Sequence, residues 1–150
     1  MQLSGKLRSR EKGQATVEFA LTIVFVVLFL AGFLELVAMI YTYNVLADAA
    51  KEGVRYAIVH GTGNSNCSGP ATPACADATG ANVQNAVLSY AQFSLHGTAS
   101  MSVPAPTYPD GTCAAPNRVR VVVSYPYQPF FGLGWPTVTV YAAAEGRIVN

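Results

Sequence analysis

Charge is scarce in this chain, and most of it sits at one end. Asp, Glu, Lys and Arg make up 11% of the residues, and beyond Tyr56 only Asp77, Asp110, Arg118, Arg120, Glu145 and Arg147 carry charge. That distribution excludes the basic surface that nucleic-acid binding requires. Histidine is nearly missing as well: His60 and His96 lie outside any metal-binding motif, and Cys67, Cys75 and Cys113 contain no pair with short metal-ligand spacing. No metal site and no cofactor is therefore expected. His60, His96, Asp77 and Asp110 are scattered over loop-like stretches, which favour such residues without any chemistry being involved. With no nucleophile–base pair and no paired carboxylates, the sequence does not read as an enzyme. Proline is absent from Ala15 to Val59, so nothing in that stretch interrupts a helix.

What fills the proline-free stretch is apolar. From Phe19 to Leu34 there is no charge, and after Glu35 the run resumes as Leu36, Val37, Ala38, Met39 and Ile40. A span over about residues 19–41 reaches the roughly 20 residues that a bilayer core demands. The competing reading, a secretory signal peptide, calls for an apolar region of about 7 to 15 residues closed by a small-residue cleavage site. Here the run is longer and continues into an amphipathic helix, which favours a retained anchor. Lys6, Arg8, Arg10 and Lys12 precede the run, and Tyr41, Thr42, Tyr43 and Asn44 follow it. The positive-inside rule then keeps the N-terminus in the cytoplasm and puts the rest of the chain outside. In an oxidising compartment the three cysteines allow one bridge and one leftover. Cys67 to Cys75 closes a short Pro- and Gly-rich loop at little entropic cost. Cys75 to Cys113, tying that loop to the sheet, is the alternative.

Three segments follow. Residues 1–13 read as a basic cytoplasmic leader without regular structure. Residues 14–60 read as one long helix, hydrophobic and then amphipathic, stopped near His60-Gly61. At about 1.5 Å per residue it approaches 65 Å, so its second half must leave the lipid. There Leu46, Ala49, Ala50, Gly53 and Ala57 share one side, and Asp48, Lys51, Glu52 and Arg55 lie around the other. Residues 61–150 form an extracytoplasmic head. A loop over 61–80 leads to a second helix capped at Thr79 or Asn82, with Val83, Ala86, Val87, Tyr90 and Ala91 on one face. Strands are expected over Arg118–Tyr125 and Thr137–Ala142, with a weak candidate at Met101–Val103 and an aromatic, proline-rich connection over 126–136. The fold class is α+β: a long N-terminal helix, transmembrane and then amphipathic, and a small head of one further helix and an antiparallel sheet.

The stretch Gly13-Gln14-Ala15-Thr16-Val17-Glu18-Phe19, basic residues before it and an apolar span after it, resembles the signature of type IV prepilins. Cleavage between Gly13 and Gln14 would make Glu18 the fifth residue of the mature chain. Glycine leaves that bond open to a protease and weakens helix around it. A carboxylate entering hydrocarbon costs about 2.5 to 3.5 kcal/mol, so Glu18, followed by Phe19, is expected to seek a partner, such as the new α-amino group of a neighbouring subunit. The alternative is an ordinary interfacial charge favoured by the helix macrodipole. Glu35 also has two readings: a contact with another span, or a carboxylate that reaches the outer surface or stays protonated.

From Gly13 to Tyr56 the chain resembles the TadE-like pseudopilins of tight-adherence (Flp-type) pilus systems. The blocks that carry the resemblance are Val17-Glu18-Phe19-Ala20-Leu21, Gly32-Phe33-Leu34-Glu35-Leu36 and Ala49-Ala50-Lys51-Glu52-Gly53-Val54-Arg55-Tyr56-Ala57, the last containing the family-like residues Glu52, Gly53 and Arg55. Leu36 and Val37 depart from the phenylalanine and glycine common there. The resemblance implies a minor subunit or priming factor of pilus assembly, cut by a prepilin peptidase and supporting adhesion. Its implied partners are other pilin or pseudopilin subunits, inner-membrane assembly proteins and membrane lipid. It would reside in the bacterial inner membrane or enter the extracellular pilus. An uncleaved single-span scaffold or adhesin is the alternative.

Overall fold

The computed structural model describes residues 4–95, 97–132 and 134–149; His96 and the first three residues of the expected leader lie outside them. The elements, in chain order, are helix α1 (Ser4–Val59), helix α2 (Ala81–Gln92) and strands β1 (Arg118–Tyr127) and β2 (Val138–Arg147). The layout is the α+β, pilin-like one expected. α1 begins earlier than expected, at Ser4 rather than after Gly13. Leucine, lysine, arginine and glutamate in that stretch are good helix formers, and one interior glycine costs only about 1 kcal/mol. The chain divides into two compact units, residues 1–38 and 39–150.

In the first unit the large apolar side chains point outward: Phe25 is 79% and Phe29 72% exposed. A helix that presents phenylalanine on this scale to its surroundings is built for an apolar medium or for neighbouring helices.

The second unit has one core. Leu46, Ala49, Ala50, Gly53 and Ala57, the face predicted from helical spacing, are all buried, and Asp48, Lys51 and Arg55 are exposed. Against them lie Val83, Val87 and Ala91 of α2 and Val119, Val121 and Val123 of β1. Tyr90, expected on the buried face of α2, is exposed, and Ala86 is only half-buried. Fully burying each valine stabilises by about 1.5 to 3 kcal/mol.

Small residues on α1 permit close approach. A Cβ on Gly53 would lie 2.5 Å from Val87 Cγ2 and 3.3 Å from Val121 Cγ1. On the facing strand, a Cβ on Gly146 would lie 2.5 Å from Val54 Cγ1. The helix is thus gripped between α2 and β1 at Gly53, and by β2 at Val54.

β1 and β2 pair antiparallel from Arg118↔Arg147 to Tyr127↔Val138. β1 buries Val119, Val121 and Val123 in the period-two pattern expected. β2 runs to Arg147, past the expected end at Ala142. Met101–Val103 forms no extended strand: it meets β1 through the single bridge Ser102↔Ser124, and Thr107, further on, makes another with Arg120. Pro104 and Pro106 lie between the two bridges and cannot donate to a ladder. The chain end is tied back where the Val149 N–H donates to the Ile58 carbonyl at 3.0 Å.

The cap of α2 also differs from expectation. The residue preceding the helix is Gly80, and no side chain caps from that position. Asp77 does the work from upstream, accepting from the N–H groups of Ala81 (3.0 Å) and Asn82 (2.8 Å). Its carboxylate also accepts from the hydroxyls of Ser68 (2.7 Å) and Thr79 (3.0 Å). Burial pushes this carboxyl up, but the bonds from Asn82, Ser68, Ala81 and Thr79 outweigh it and hold it down at about 2. Because the folded value lies below the ordinary one of 3.8, its stabilisation is present above about pH 4 and fades as pH falls towards about 2. Asp77→Ala is expected to cost about 1 to 2 kcal/mol at neutral pH. It should also flatten the acid limb of a melting-temperature profile measured between about pH 5 and 2.

Candidate functional site: the N-terminal helix

The first cluster of predicted residues, Gly13 to Phe19, lies wholly within α1. Gly13 is helical, not the unwound residue that an accessible bond would suggest. It is nonetheless open: a Cβ placed there would meet nothing within 4 Å. As the poorest helix former in the stretch after proline, it is also where the helix opens at least cost. Gln14 and Glu18 are one turn apart and bonded, with Gln14 Nε2 donating to Glu18 Oε1 at 3.0 Å. Thr22 Oγ1 donates to the Glu18 carbonyl at 2.9 Å. The Glu18 carboxylate and Phe19 ring are both exposed on the helix surface.

The two acids of the apolar segment differ in surroundings. Glu35 is 5% exposed, whereas Glu18 is exposed. Gly13–Val59 contains a stretch of mean hydropathy 2.8, long and apolar enough to cross a membrane.

Further along α1, Glu52 and Arg55 form an i, i+3 pair, Nη1 to Oε2 at 3.3 Å, on an exposed face. Such a pair contributes a few tenths of a kcal/mol at most. Gly53, between them in sequence, faces inward, and its role is steric. Spacing placed it correctly on the buried side, but the collision partners, Val87 and Val121, come from distant parts of the chain.

The cysteines converge. Cys67 and Cys75 are bonded to each other, and Cys113 is a buried free thiol. Its Sγ lies 3.3 Å from that of Cys75, so both pairings considered from sequence concern neighbouring atoms. The role of Asp77 was missed because it caps from outside the local window in which capping residues are sought. Among the described residues no group of His, Cys, Asp and Glu is arranged to hold a metal ion.

Compared with known proteins, residues 13–55 match the family of TadE-like proteins. No curated protein matches the chain, and no solved structure does. The matched stretch opens on Gly13 and closes on Arg55, and so takes in both Gln14-to-Phe19 and Glu52-to-Arg55. Over those residues, less than a third of its length, the chain is similar to TadE-like proteins.

Proposed function

We propose that this chain is a minor pilin or pseudopilin of a tight-adherence pilus. It is cut after Gly13 by a prepilin peptidase and acts in assembly or priming of the filament and so in adhesion. The observation that carries the reading is a coincidence of boundaries. The TadE-like match starts at Gly13, basic residues stand immediately before that point, and an exposed apolar helix follows it. In this reading α1 crosses the inner membrane with its N-terminus inside. Residues 61–150 lie outside as a head resting on the amphipathic half of the helix, and the role is structural rather than enzymatic. Partners are the peptidase, lipid, and other pilin and inner-membrane assembly subunits.

The mature N-terminus tests this directly. Mass spectrometry of the chain from cells with an active prepilin peptidase should find Gln14 first, and Gly13→Leu should leave the heavier, leader-bearing form. A native chain still carrying residues 1–13 would favour the second reading, an uncleaved single-span scaffold or adhesin.

A further inference from the structure

Three sulfurs meet in the head. Cys67 and Cys75 form the disulfide, and the Cys113 Sγ approaches the Cys75 Sγ to 3.3 Å from a fully buried position. The approach is held from both sides of the peptide. The Cys113 N–H donates to the Pro70 carbonyl at 2.8 Å, and its own carbonyl accepts from the Thr62 N–H at 3.1 Å. The strap bearing Cys113 is therefore bonded to the loop that bears the other two. Tyr108 fastens the same pair of segments, its hydroxyl donating to the Ser68 carbonyl at 2.9 Å.

We infer that Cys67, Cys75 and Cys113 form a thiol–disulfide exchange site, in which the bridge passes between Cys67–Cys75 and Cys75–Cys113. The Cys113 thiol gives up its proton and its sulfur attacks the Cys75 sulfur. The Cys75–Cys113 bond forms as Cys67–Cys75 breaks, and the electron pair leaves on the Cys67 sulfur, which takes up a proton. One disulfide and one thiol are present before and after, so no oxidant or reductant is consumed. Attack on a disulfide sulfur by a thiolate is the general route of such exchange.

Folding is what makes the two bridges comparable. The short bridge spans a separation of 8 residues and the long one 38. In an unfolded chain, loop-closure entropy favours the short bridge by about tenfold. The folded head has already brought Cys113 to Cys75, which removes that bias. Exchange then moves the thiol from a fully buried site to Cys67, which is only half-buried, where a small disulfide or another protein's cysteine can reach it. Burial pushes the Cys113 thiol up, so the exchange is slow and is best read in mild alkali, where thiolate is more abundant.

The full-length protein in detergent, without denaturant, is held at about pH 8.5, then acid-quenched, alkylated and run as a non-reduced monomer. Cleavage before Asp77 and Asp110 leaves Cys67 and Cys75 on one fragment and Cys113 on another. The expected result is a disulfide-linked pair of these fragments with the alkyl label on Cys67, its yield falling about tenfold in denaturant. Cys67→Ser should close the Cys75–Cys113 bridge and show no free thiol. Native protein that yields only the unlinked fragments, with all label on Cys113, overturns the inference whatever the variant does. A linked pair labelled on Cys75 overturns it too, since the bridge would then be Cys67–Cys113.

Discussion

Replacing Gly53 by leucine is expected to unfold the head of this protein while leaving the N-terminal apolar helix intact. The reason is geometric. A single added carbon at this position would already stand 2.5 Å from Val87 Cγ2 and 3.3 Å from Val121 Cγ1. Both valines are buried to about the limit, at 0% and 1% exposure, and neither is the far end of a flexible chain. One is held by a helix and the other by a strand. Overpacking a tight core costs about 1 to 3 kcal/mol for modest insertions. Alanine recovers up to about 1 kcal/mol of helix propensity over glycine, so Gly53→Ala should lose only about 1 to 2 kcal/mol. Leucine has nowhere to go without lifting α1 from α2 and β1 together, and a small domain has few kcal/mol to lose.

Hydrogen exchange of the β1 amides, followed in detergent, gives the readout. Protection should fall modestly in Gly53→Ala and collapse in Gly53→Leu. The Val87→Ala change should be less costly in the Gly53→Ala background than in the wild type, because the two sites share one contact. Unchanged protection in Gly53→Leu would show that the helix does not pack as described.

Gly53 also shows which parts of the fold were legible in the residues and which were not. Its side of α1 was readable, because Leu46, Ala49, Ala50, Gly53 and Ala57 recur at helical spacing, and all are buried. β1 was readable for a similar reason, its valines alternating with Arg118, Arg120 and Ser124. The second half of β2 was not. Ala143, Ala144, Glu145 and Gly146 have weak strand propensity, and what makes them strand is pairing with β1 and the fit of Gly146 against Val54. Both are long-range facts. The start of α1 was misread because basic residues flanking an apolar run signal topology while leaving helix propensity untouched. In the candidate site, the Gly13-to-Glu18 arrangement was visible in the sequence, whereas the meeting of Cys113 with the bridge could only be posed as one pairing among two. No local pattern encodes a contact across 38 residues.

Glu18 is the residue on which the proposed pilin-like mechanism depends. Glu18→Ala should abolish piliation without harming the head. The carboxylate is exposed on α1 and accepts from the Gln14 side-chain amide at 3.0 Å. It lies in the first compact unit, residues 1–38, and the core of the second contains no part of it. Removing it takes a charge out of an apolar segment, so membrane insertion should improve by up to about 3 kcal/mol. A defect in pilus formation could not then be blamed on failed insertion or a damaged head. What the substitution removes is an acceptor for a cationic partner. The proposed cleavage after Gly13 would supply one, because it would turn Gln14 from a mid-helix residue into a chain terminus bearing an α-amino group. Within a single chain that group sits one turn from Glu18, where the Gln14 side chain already reaches the carboxylate. Between neighbours in a filament, the same two groups can pair across the interface in a medium of low dielectric, where such a pair is far stronger than in water. Glu18→Gln keeps the shape and the hydrogen-bonding capacity but not the charge, and should fail nearly as completely if charge pairing is the cause. Both variants would be expressed in a deletion strain and shown to be cleaved and present in the membrane at normal levels. Pili and adherent cells would then be counted. Normal piliation with alanine would reduce Glu18 to an interfacial charge held by the helix dipole, and failure with alanine but rescue with glutamine would replace the ion pair with a neutral hydrogen bond.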